Sequence, residues 1–126
     1  MGTPVADEDI RALLSHYLDR VAKESRVSGF GPKEAEQLKE AMREVEMTDG
    51  EREWLGRLVE RKKALSGLTL DLARVKNVVL RPADIHAHLE AYMGRVLAKC
   101  PDIPVNAGEL CVAMVDVMIE EGIIRA

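Results

Sequence analysis

Aromatic residues are scarce in this sequence, which has one tryptophan, two tyrosines and one phenylalanine among 126 residues. Proteins that bind single-stranded nucleic acids usually stack bases on aromatic rings beside cationic side chains, so the scarcity disfavours that class. Uncharged runs are also short, and the longest, Ala12–Leu18 and Ala64–Leu70, have seven residues each. Because a membrane-spanning helix needs about 18 apolar residues or more, no membrane span is predicted.

Cysteine is equally sparse, with two residues, Cys100 and Cys111. Two cysteines do not form the disulfide framework of a small secreted domain. Residues 1–9 lack the basic region and apolar run of a signal peptide. We therefore expect reduced thiols and a cytoplasmic protein.

Motifs for catalysis, cofactor binding and metal binding are missing. Gly29-Phe30-Gly31 is followed by proline and has no preceding strand pattern, so it fails the dinucleotide-binding fingerprint. His86 and His88 are separated by about 200° around a helix and cannot share an ion. Each has one acidic neighbour at helical spacing, Glu90 and Asp84 respectively, which gives two ligands at best. We predict no catalytic residues, no cofactor and no metal.

The length and composition predict a single folded domain over residues 1–126. Hydrophobic residues make up 47% of the chain and charged residues 32%, proportions typical of a globular protein. Apolar residues recur at helical spacing, and the first predicted helix, starting at Thr3-Pro4 or Asp7, carries Ile10, Leu13, Leu14, Tyr17, Leu18, Val21 and Ala22. The fold class predicted is all-α, a compact bundle of five to six helices.

Local signals place several helix ends. Thr48-Asp49-Gly50-Glu51 has the spacing of a capping box, and Asn106 with Glu109 has the same spacing. Gly122 stands where a left-handed residue would end the last helix in a Schellman motif. The second helix, from about Pro32, and the third are joined by a short connection, which predicts a bent pair.

Residues 68–80 are ambiguous. Leu68 to Leu72 alternate like a strand, whereas Leu68, Leu72, Val75 and Val79 also fit one helical face. Because no second convincing strand exists to pair with it, we favour a short helix and keep a minor β element as the alternative.

The middle of the chain is basic, although the net charge is −4. Residues 52–81 carry eight basic and three acidic side chains, and a local excess of basic charge attracts phosphate. The candidate anion-binding face consists of Arg57, Arg61, Lys62, Lys63, Arg74, Lys76 and Arg81. A solvated helix face produces the same pattern, so both interpretations stay open.

Residues 110–125 resemble the recognition helix and strand entry of a winged helix–turn–helix domain, a resemblance that implies DNA binding. The exposed stripe of that helix would be Glu109, Asp116 and Glu120. Three acidic side chains would repel phosphate, and this departure from the pattern puts DNA binding through the helix in doubt.

The last predicted helix, at about 107–121, has two apolar faces. One anchors the helix to the core, and the other consists of Val112, Val115 and Ile119. Either another helix of this chain covers the second face or a second copy does, and we favour a symmetric homodimer.

The function expected from these patterns is a non-enzymatic helical protein–protein interaction module, an adaptor, regulator or assembly subunit with an unidentified protein partner. The alternative is a nucleic-acid-binding regulator of the helix–turn–helix type that uses the basic segment 52–81.

Overall fold

The computed structural model describes residues 5–65 and 80–124. Within these ranges the chain contains no strand and has five helices: α1 (Asp7–Lys23), α2 (Pro32–Met42), α3 (Asp49–Leu65), α4 (Pro82–Ala98) and α5 (Ala107–Glu120). The all-α prediction is confirmed for the described residues, and five of the predicted five to six helices are observed.

Two helices, α1 and α4, organise the bundle. The seven apolar residues predicted for α1 are all buried, at 8% exposure or less. Helices α2, α3 and α5 each pack against both α1 and α4. Their buried side chains form one hydrophobic core.

The predicted bent pair of α2 and α3 is wrong, because these two helices do not pack against each other. Residues 43–48 connect them, and other helices hold the start of this connection. Arg11 of α1 donates to the carbonyl oxygens of Met42 and Val45 at 3.0 and 3.3 Å. The hydroxyl of Tyr92, in α4, donates to the same two oxygens at 3.0 and 3.2 Å. The end of α2 is therefore bonded to α1 and α4.

Both predicted N-terminal caps are present at α3 and α5. The Glu51 amide donates to Thr48 Oγ1 at 3.2 Å, and the Thr48 amide donates to Glu51 Oε1 at 3.0 Å, which confirms the capping box. Asn106 Oδ1 accepts from the amides of Gly108 and Glu109 at 2.7 and 3.3 Å. These bonds confirm Asn106 as the N-cap of α5, but no bond from the Asn106 amide to the Glu109 carboxylate is present among the described residues, so only half of the predicted second capping box is observed.

The predicted Schellman motif ends α5. Gly122 has a φ of 82°, and its amide donates to the Ile119 carbonyl at 3.0 Å. The Ile123 amide donates to the Met118 carbonyl at 3.1 Å, and the Ile123 side chain is buried. These bonds satisfy carbonyls that the end of a helix would otherwise leave unpaired.

Helix α1 ends with the same bond pattern but without glycine. Ser25 has a φ of 53°, the left-handed region. The Arg26 amide donates to the Val21 carbonyl at 3.1 Å, and the Ser25 amide donates to the Ala22 carbonyl at 3.2 Å. A residue with a Cβ is strained in this conformation, so Ser25 costs stability that glycine would not.

Most of the ambiguous segment 68–80 lies outside the described residues. Its last residue, Leu80, is described; it is buried and belongs to no helix or strand. Among the helices of the described ranges, none combines the length and apolar character needed to cross a membrane.

Candidate functional site

A carboxylate just beyond α5 contacts four donors from two other helices. Glu121 Oε2 accepts from His16 Nε2 at 2.8 Å and from Arg20 at 2.9 Å. Its Oε1 accepts from the Tyr17 hydroxyl at 2.9 Å and from the Lys62 ammonium at 3.1 Å. We call these five residues the Glu121 cluster. It joins α1 and α3 to the end of α5.

The four donors of the Glu121 cluster control the protonation of the Glu121 carboxylate. Burial disfavours the charged carboxylate, but the hydrogen bonds from the four donors outweigh burial and lower the pKa of Glu121 to about 2. Burial, reinforced by the hydrogen bond to Glu121, raises the pKa of Tyr17. At neutral pH Glu121 is therefore ionised and the Tyr17 hydroxyl keeps its proton.

The Glu121 cluster has the residue types of a catalytic site, but its carboxylate has no unoccupied hydrogen-bonding position. A carboxylate offers about four lone-pair positions, and four donors occupy them. Lys62 is further engaged by the Tyr17 ring, whose centroid lies 5.7 Å from the ammonium. The carboxylate has no lone pair left for a substrate or metal, so its role in this geometry is to hold three helices together.

Another carboxylate, that of the buried Glu51, joins α3 to α4. Its side chain is 4% exposed and receives two bonds from the Arg95 guanidinium, at 2.5 and 2.8 Å. Burial opposes its ionisation, but the Arg95 bonds and the Thr48 amide prevail and lower the pKa of Glu51. Arg95 also donates to the Glu46 carbonyl at 3.0 Å. This group is likewise fully engaged within the protein.

The histidines of α4 have separate partners. His86 Nε2 lies 2.9 Å from Glu90, the pair expected from helical spacing. His88 Nδ1 bonds the backbone oxygen of Asp84 at 2.8 Å, not its carboxylate, and the His88 ring stacks on Trp54 at a centroid distance of 5.8 Å. In the part of the chain that the structure describes, no group of three or more His, Cys, Asp or Glu side chains is placed to hold a metal ion.

Neither cysteine is set up as a nucleophile. Both are free thiols, with Cys111 buried and Cys100 half-buried. Burial, with a smaller contribution from Glu90, raises the pKa of Cys111 to about 12. Burial also raises the pKa of Cys100, to which Asp102 contributes. A raised pKa leaves little reactive thiolate at neutral pH.

The candidate anion-binding face is partly neutralised by the protein's own acidic groups. Arg57 donates to Glu53 at 2.9 Å, and its guanidinium lies 4.4 Å from the centroid of a Trp54 ring. Arg81 donates to Asp84 at 3.0 Å. Both arginines therefore have an acidic partner within one turn.

Three of the other five members of the candidate anion-binding face lie among the described residues. Lys62 belongs to the Glu121 cluster, Lys63 is exposed and Arg61 is half-buried. Arg74 and Lys76 lie outside the described residues. Five of the seven residues are therefore described, four of them on α3 and Arg81 directly before α4.

The predicted self-association face is divided between surface and core. Val112 is 53% exposed, Ile119 is half-buried, and Val115 is 6% exposed. Val115 is therefore covered by its own chain, the first of the two alternatives stated above. The physical reason is that α5 packs against both α1 and α4, so it buries a wider apolar arc than one neighbouring helix would need.

Small residues occupy the outer face of α4, close to Val112. Ala87, Ala91, Gly94 and Ala98 are four, three and four residues apart, which places them on one side of the helix. The groove that they line shares Glu90 with the groove that contains Val112. We call this region the α4–α5 surface; it consists of Ala87, Ala91, Gly94, Ala98, Ala107 and Val112.

No protein family, curated protein or solved structure matches this chain. Its functional interpretation therefore depends on its own geometry. Two features were missed from sequence: the Glu121 cluster and the row of small residues on the outer face of α4. The spacing of Ala87, Ala91, Gly94 and Ala98 was the available signal for the second. The first had none, because Glu121 lies 105 residues from His16 and 59 from Lys62.

Proposed function

We propose that the protein is a cytoplasmic, non-enzymatic helical interaction module, an adaptor, regulator or assembly subunit, that binds a protein partner and forms a homodimer through the α4–α5 surface. The observation that carries the proposal is the row of small residues on α4 beside Val112, which is 53% exposed; Glu90 and Arg95 border this row. The module's polar clusters are engaged internally, which supports a binding role over catalysis.

The composition of the surface suits helix–helix contact. Ala87, Ala91 and Ala98 are exposed and carry no side chain beyond Cβ, so a partner helix can approach at the short end of the usual 8–10 Å interaxial range. Val112 adds a larger apolar side chain at the edge. Complete burial of a valine contributes about 1.5–3 kcal/mol, and roughly half of that remains to be gained here.

The charges along α4 favour a second copy as the partner. Asp84 lies in the first turn of α4, and Lys99 directly follows its last residue, Ala98. Two copies of α4 packed antiparallel about Ala91 would place Asp84 of each copy beside Lys99 of the other. Such complementarity favours one relative orientation of the subunits.

The cytoplasmic part of the proposal is supported by cysteine chemistry. Cys100 and Cys111 are both free thiols, and Cys111 is buried in the core. Free thiols are the usual state in the reducing cytosol, whereas small secreted domains use cysteine in disulfides.

The test is the oligomeric state of a matched pair of variants. Wild-type protein at tens of micromolar should sediment as a dimer. Ala91→Glu places a carboxylate at the proposed two-fold axis and should weaken dimerisation at least tenfold, with an unchanged helical spectrum because position 91 is exposed. Ala12→Glu is the control, since Ala12 is an exposed residue of α1 and is not part of the α4–α5 surface.

Two results would overturn a homodimer formed through the α4–α5 surface. The wild type could sediment as a monomer up to about 100 µM, or Ala91→Glu could remain as dimeric as Ala12→Glu. If both variants dissociate equally, the effect is one of added charge and the α4–α5 surface is not the interface.

The alternative function, nucleic-acid binding through the basic segment, stays a prediction with less support. Arg57, Lys62 and Arg81 each contact an acidic side chain of the same chain. A phosphate would have to compete with those carboxylates, which lowers the affinity expected from the charge count alone.

A further inference from the structure

We draw no further inference here: the strongest candidate, the groove between α4 and the start of α5 where His86, Glu90 and Asn106 lie, adjoins the contact surface already proposed, and nothing in the structure shows what occupies it.

Discussion

Replacing Glu121 with Gln tests the largest polar cluster of the protein. The substitution keeps the side-chain shape but removes the negative charge to which His16, Arg20 and Lys62 are bonded. It also replaces one acceptor oxygen by an amide group that donates hydrogen bonds. That group would face two of the four donors, one of them a cation, Arg20 or Lys62, that cannot accept from it, so at least one bond is lost and a repulsive contact is created.

The expected cost follows from the exposure and the pKa of the carboxylate. The Glu121 side chain is 20% exposed, and its pKa of about 2 lies below the ordinary glutamate value of about 4.3. At about 1.4 kcal/mol per pKa unit this difference is equivalent to about 3 kcal/mol. Solvent screening of partly exposed pairs reduces it, so we expect the free energy of unfolding to fall by about 2 kcal/mol, or about 8 °C in Tm.

The same shift sets the pH dependence. Because the folded protein lowers the pKa of Glu121, the ionised carboxylate stabilises the fold fully above about pH 4.5, and this contribution is lost as the pH falls toward 2. Glu121→Gln lacks the titrating group. The difference in unfolding free energy between wild type and variant should therefore shrink as the pH falls below about 5.

Urea denaturation followed by far-UV circular dichroism at pH 7, 5, 4 and 3 measures both quantities. Glu120→Gln is the matched control, since Glu120 is the adjacent carboxylate, bonds Arg26 and has a side chain that is 51% exposed. An exposed ion pair stabilises a fold less than a partly buried one does. Equal losses in the two variants, or a difference that persists unchanged down to pH 3, would refute this account of the Glu121 cluster.

Three further substitutions test other parts of the structure. Ser25→Gly should raise the unfolding free energy by about 0.5–1 kcal/mol, because glycine adopts the left-handed φ without strain; a thermal melt in which Ser25→Ala gains as much would contradict this. Val115→Asp should cost several kcal/mol and leave little folded protein by circular dichroism, whereas the exposed Val112→Asp should fold normally. If nucleic acid binds, replacing both Lys63 and Arg81 with Ala should lower the slope of log affinity against log salt concentration by up to about two. Absence of wild-type binding to duplex or single strands at low salt would eliminate the alternative function.

The parts of the fold that were predictable from sequence are those decided within a few residues. The apolar spacing of α1 and the caps at Thr48 and Asn106 depend on neighbours three or four positions away, and the structure confirms them. The separation of α2 from α3 was not predictable, since it depends on Arg11 and Tyr92 reaching the Met42 carbonyl from 31 and 50 residues away.

The candidate site also combines features decided by near neighbours in the sequence with features decided by distant residues. Helical angles correctly placed Glu109, Asp116 and Glu120 on the exposed side of α5, but they did not indicate how many neighbouring helices would cover its apolar faces. Val115 was therefore assigned to a surface face, although it lies in the core. The charge count of segment 52–81 likewise could not reveal that Lys62 is bonded to Glu121, a residue from the far end of the chain.

The distance along the chain between His16 and Glu121, 105 residues, has a consequence for biosynthesis. At about 5–20 residues per second, the ribosome adds Glu121 roughly 5–20 s after His16. During that interval His16, Tyr17 and Arg20 lack their common acceptor. The contacts between α1 and α5 can therefore form only after α5 has been synthesised.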